Sequence, residues 1–110
     1  MAGGDPIVPE WSGKIVGDDG HDRIAACLAL DFQNAPGWCK QALSQIDNVI
    51  SGREKGWDIA MNAYMLKVRA DESEILPVYE ETGEPGVIVK TADLRGALMA
   101  WSERIAQSRD

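Results

Sequence analysis

The spacing of apolar side chains divides this chain into segments of different period. From Pro36 to Ile50, Trp38, Cys39, Ala42, Leu43, Ile46, Val49 and Ile50 recur three and four residues apart, which places them on one face of a helix. Asn34 can cap that helix and Pro36 suits its first turn. Gly52, just past the last apolar position, can take the left-handed conformation that closes it. Over residues 57–70 the period falls to two. Trp57, Ile59, Met61, Ala63 and Met65 alternate on one side, and Tyr64, Leu66 and Val68 on the other, which predicts a strand with two apolar faces bent near Asn62. Asp71, Glu72 and Ser73 read as a polar turn. Ile75, Leu76, Val78 and Tyr79 then predict a second strand over residues 74–80, with Pro77 marking an edge or a bulge. Thr82, Gly83, Glu84, Pro85 and Gly86 form the next turn before a short third strand at Val87, Ile88 and Val89. Thr91 opens a closing helix as its cap, with Asp93 near the positive end of the helix dipole. Leu94, Ala97, Leu98, Trp101 and Ile105 form its apolar stripe.

Two segments lack a single period. Ile24, Cys27, Leu28 and Phe32 fit a helix, whereas Ile24, Ala26, Leu28, Leu30 and Phe32 fit strict alternation, so residues 22–32 read as helix or strand. Their alanines tip the balance to helix. Residues 1–22 combine glycines with Pro6, Pro9, Asp18 and Asp19, a composition that breaks regular structure and predicts a loop-rich arm. Its large apolar groups, Trp11, Ile15 and Val16, are expected to dock it on the body, with a short edge strand around Lys14 to Val16 as one form. Helix, three strands and helix in that order predict an α+β fold: an antiparallel sheet of three to four strands flanked by two or three helices, since an α/β winding needs helices between strands. At 110 residues the chain has the size of a single domain, spanning residues 1–110.

Charge narrows the choice of partner. Eighteen acidic against eleven basic residues give a net charge of −7, with Lys14, Lys40, Lys67 and Lys90 scattered singly. Direct binding to nucleic acid is disfavoured, because it draws on clustered lysine and arginine to neutralise phosphates, and a basic protein is the better match. The bland alternative is an acidic surface that serves solubility. The N-terminus lacks the basic-then-apolar signature of a signal peptide and the chain has no apolar span, so no membrane is expected. Cys27 and Cys39 sit in apolar stretches, as small buried hydrophobes in a reducing cytoplasm do.

Candidates for chemistry are few. His21, beside Asp18, Asp19 and Asp22, could serve as an acid/base or a weak metal ligand, but the spacing matches no defined metal loop. A nucleophilic thiol would need His21 as base for Cys27 or Cys39, and apolar flanks raise a thiol pKa. Paired carboxylates such as Glu80 with Glu81, or Glu72 with Glu74, fall in turns, where acids are usually solvated. The string Gly83-Glu84-Pro85-Gly86 lacks the spacing and the lysine of a nucleotide loop. The expectation is therefore a binding protein, without catalytic residues, cofactor or metal. Of the four tryptophans, Trp38 and Trp101 fall on helical stripes and are assigned to the core, as is Trp57, while Trp11 is uncommitted.

The helix ending in Gly52, the run Trp57-Asp58-Ile59-Ala60-Met61-Asn62-Ala63-Tyr64-Met65-Leu66-Lys67-Val68, the strand with Val78-Tyr79 and the closing helix with Leu94, Leu98 and Trp101 resemble small immunity proteins of bacterial toxin systems. The resemblance is to those of contact-dependent growth inhibition, over roughly residues 36–105 as a pattern of elements. It implies a cytoplasmic protein that binds and neutralises a cognate C-terminal toxin domain, often a basic nuclease, by occlusion. No shared interface motif transfers, so the expected partner-binding residues rest on charge and turn position. They are Asp71, Glu72 and Glu74 in the first hairpin turn, Glu80, Glu81 and Glu84 in the second, and Asp18, Asp19 and Asp22 in the arm. The two turns should lie at opposite ends of the middle strand. The competing reading is a regulatory or small-molecule-binding module of an unrelated pathway.

Overall fold

A computed structural model describes residues 9–107, so the first eight residues of the expected arm lie outside the described part. Helix α1 (Asp19–Cys27) runs into a π-helical turn (Leu28–Phe32), followed by α2 (Pro36–Ile50). Four strands come next, β1 (Trp57–Ala60), β2 (Tyr64–Val68), β3 (Glu72–Pro77) and β4 (Val87–Lys90), with a single 3-10 turn (Glu80–Thr82) before β4. Helix α3 (Thr91–Gln107) closes the order. The strands form one antiparallel sheet in sequential order, β1-β2-β3-β4, and the fold is α+β.

One face of the sheet is covered and the other is open. Pairing sets Trp57 opposite Val68, Ile59 opposite Leu66, Leu66 opposite Ile75 and Ser73 opposite Val89, so these side chains share a face. Apart from the buried Ser73, they join Ile46, Val49, Leu94, Leu98, Trp101 and Ile105 from α2 and α3 in one apolar cluster of buried or partly buried residues. Burying each large aliphatic side chain there is worth about 1.5–3 kcal/mol. The open face carries Asp58, Lys67, Glu74 and Ile88 in one row across the four strands.

The segment 57–70 is two strands where the alternation predicts one. Its parity shows why: the covered positions are odd before Asn62 (Trp57, Ile59) and even after it (Tyr64, Leu66, Val68). A strand that reverses on itself swaps faces in this way, whereas a continuous one would keep its parity. The Met61 amide donates to the Tyr64 carbonyl at 2.9 Å, closing a two-residue connection. The amides of Ala63 and Tyr64 donate instead to the two oxygens of Asp31, at 2.7 and 3.0 Å. Asp31 is buried in the π-helical turn, so a carboxylate delivered by one element fixes the tip of another.

Other expectations shift by a few residues. Helix is the outcome for residues 22–32, but α1 begins at Asp19, and Leu30, which alternation would bury, is exposed. Lys14 to Val16 is not a strand: the Lys14 amide donates to the Trp11 carbonyl at 3.1 Å and the Asp18 amide to that of Ile15 at 3.2 Å, giving two successive turns. Gly13 and Gly17, at φ of +92° and +88°, hold the position in each turn that favours glycine. Trp11 packs on the core, but Ile15 and Val16 face solvent. Asn34 makes no cap; α2 starts from Ala35 with Pro36 in its first turn, and Gly52 at φ +85° follows its end as expected.

Glu72 and Ser73 belong to β3 rather than to a turn, and Ser73 is buried. Pro77 ends β3, past Ile75 where the β4 pairing stops, so its missing amide hydrogen leaves no gap in that ladder. The Thr91 hydroxyl, expected as a cap, is fully buried, 2.6 Å from both the Arg69 carbonyl and the Ser73 hydroxyl. With the bond from the Thr91 amide to the Asp71 carbonyl at 2.9 Å, it ties the start of α3 to the β2–β3 turn.

Candidate partner-binding surface

Helix α1 starts on a designed-looking set of polar contacts whose chemistry is ordinary. The Asp18 side chain accepts the His21 amide at 3.0 Å, satisfying one free donor of the first turn, and Asp19 and Asp22 stand where the helix dipole favours negative charge. From the same helix Arg23 turns inward and is only 9% exposed. Its Nη1 donates to the carbonyls of Ile75 and Pro85 at 3.0 and 2.8 Å, and its guanidinium lies 5.1 Å from the centre of the Tyr64 ring. The Glu84 Oε2 atom sits 3.5 Å from Arg23 Nη2 and accepts the Tyr64 hydroxyl at 3.1 Å. Burial and the bond to Glu84 both hold the Tyr64 phenol above its ordinary pKa. A buried cation is thus neutralised and hydrogen-bonded, and in return it fixes the connection between β3 and β4 against α1.

Between α1 and that connection lies a cleft of about 390 Å³, bordered by Asp19 and Asp22 on the helix and Glu84 on the connection, with Ala26 and Val87 in its wall. Glu80 and Glu81 occupy the same connection, in the 3-10 turn. Two of the three predicted acidic clusters therefore border one side of the molecule, the side of β4. Asp71 lies in the β2–β3 turn at the other end of β3, as expected. Glu72 begins β3 opposite Lys90. Glu74 is not in a turn but in mid-strand, opposite Lys67 and Ile88 on the open face. Among the described residues, Asp19, Asp22, Glu80 and Glu81 on the β4 side, and Asp71, Glu72 and Glu74 elsewhere, form no ion pair.

The groups weighed for catalysis are committed to structural contacts. His21 Nδ1 accepts the Ile15 amide at 2.8 Å, which leaves the proton of a neutral ring on Nε2, 3.3 Å from Asp93 Oδ2. Both ring nitrogens are thereby occupied. Both cysteines are free and buried. Burial, with Asp31 beside it, pushes the Cys27 thiol far up, and burial pushes Cys39 up to about 11. Either thiol is a poor source of thiolate at neutral pH.

Arg23, Asp31 and Tyr64 were absent from the sequence-based site. Their signal is faint but present: residues 23, 27 and 31 fall four apart, so Arg23, Cys27 and Asp31 make a stripe on the same side as Ile24 and Leu28. Polar groups on a buried helical stripe need partners, and these find them in the β1–β2 tip and the β3–β4 connection. No helix among the described residues is long and apolar enough to cross a membrane. No family model, curated protein or solved structure matches the chain.

Proposed function

We propose that this chain binds a basic toxin domain of the nuclease class and neutralises it by covering the surface that the toxin uses. The observation that carries the reading is the set of carboxylates without ion pairs on the β4 side: Asp19 and Asp22 border a cleft whose one buried cation is already compensated, and Glu80 and Glu81 stand in the turn that leads to its Glu84 wall. Unpaired surface charge of one sign produces a local potential that accelerates encounter with a partner of the other sign and repels nucleic acid. A nuclease presents lysine and arginine to phosphates, so an acidic surface competes for the same groups.

The test is to tag the chain in its native cell, isolate its complexes at low and high salt, and assay the recovered partner for toxicity with and without the chain. Recovery of a basic protein whose toxic activity the chain abolishes is the expected result. Recovery of a partner without toxic activity, or of none, overturns the proposal and moves the weight to a regulatory or small-molecule-binding role.

A further inference from the structure

Large apolar side chains gather at the surface where the N-terminal turns meet β4. Val16 is 87% exposed, Ile15 58% and Ile88 57%. Ile15 and Ile88 line the same groove of about 280 Å³, and Val16 stands next to Ile15 at the corner of the turn closed by the bond from the Asp18 amide to the Ile15 carbonyl. Single exposed aliphatics need no explanation, but two in the wall of one hollow with a third next to them in the chain do. The site is held in place: His21 fixes the Ile15 amide from inside the groove, and Trp11 lies 5.7 Å from the His21 ring. Carboxylates flank the groove, with Asp18 and Asp93 in its wall and Asp19 beside them, against the one ammonium of Lys90. Residues of α1 line both hollows, Asp19 and Asp22 the acidic cleft and Gly20 and His21 this groove.

The geometry points to this groove, with Ile15 and Ile88 exposed in an otherwise polar wall, as the anchor of the partner interface, taking an apolar side chain that is flanked by lysine or arginine on a basic protein. The inference rests on the proposed function only in requiring a basic protein partner. An apolar centre with a charged rim is the arrangement in which a few buried contacts supply most of the binding energy. Here the carboxylates decide the sign of the partner and the aliphatic groups decide its register.

The experiment is an amide NMR titration of the full chain with a 12-residue peptide of alternating leucine and lysine, and with a serine–lysine peptide of equal charge. Each peptide spans at most about 40 Å when extended. The expected result is shift changes confined to residues 14–20 and 87–93 for the leucine peptide, and about tenfold weaker binding to the double variant Val16→Ser, Ile88→Thr. Both substitutions are at exposed positions, and the unbound spectrum reports whether the fold is kept. Equal binding of the two peptides, equal binding by the variant, shifts centred elsewhere, or no binding would each overturn the inference. None of these outcomes bears on whether a toxin is recovered from cells, so the two proposals fail separately.

Discussion

The two sides of the sheet treat charge differently. On the β1 side, Arg69 donates to Asp58 at 2.7 Å and lies over Gly56, where a Cβ atom would meet its guanidinium at 2.5 Å. The bond from Arg69 holds the Asp58 carboxyl below the usual carboxylate range. Lys55 and Lys67 add positive charge nearby, so this group of four side chains is net positive. On the β4 side, the one buried cation is used up by Glu84 and two carbonyls, and the carboxylates around it stay without partners. Asp19, Asp22, Glu80 and Glu81 thus stand without ion pairs on the β4 side, as Asp71, Glu72 and Glu74 do along the β2–β3 turn and β3.

The sharpest way to break the comparison is to remove the internal ions that hold each side in shape. Asp31→Ala leaves the amides of Ala63 and Tyr64 without their acceptor at the β1–β2 tip, and should lower stability by about 3 kcal/mol in urea titration. Arg23→Ala frees the β3–β4 connection and uncovers Glu84. A loss of about 2 kcal/mol is expected, together with faster amide exchange across residues 78–86. A smaller effect follows from the thiols. The folded chain holds the Cys39 proton to about 11, whereas the unfolded thiol releases it near 9.0, so between these values the unfolded state binds fewer protons. Stability should fall as pH rises through that window, and Cys39→Ser should flatten the slope. Smallest of all is Asp58→Asn, which removes an exposed ion pair and should leave the urea midpoint nearly unchanged.

The fold was legible where one period ran unopposed. The apolar stripes of α2 and α3 and the short β4 follow directly from spacing, because each of these elements buries a single face. Residues 57–68 misled because alternation continues smoothly through the connection at Asn62 and Ala63; only the change of parity between Ile59 and Tyr64 records the reversal. The site was partly legible for a related reason. Exposed carboxylates in turns announce themselves, and Asp18, Asp19, Asp22, Glu80, Glu81 and Glu84 follow from charge and turn position alone. That α1 lies against β4 and brings them to one side depends on contacts more than fifty residues apart, such as Arg23 with Ile75 and Pro85. Glu74 was misplaced because β3 begins two residues earlier than its apolar run suggests. The exposure of Ile15 and Val16 could not be read from their hydrophobicity, since the turns set by Gly13 and Gly17 decide where they point.

The measurement that bears most directly on the β4-side claim compares two variants of equal net charge in the co-purification: Asp19→Asn, Asp22→Asn, Glu81→Gln against Asp71→Asn, Glu72→Gln, Glu74→Gln. Each removes three carboxylates that form no ion pair among the described residues. The account predicts that the first set slows association with the basic partner about tenfold at low salt, with the difference fading as salt rises, while the second set leaves the rate close to that of the unaltered chain. Equal slowing by both sets, or slowing by the second alone, would contradict it.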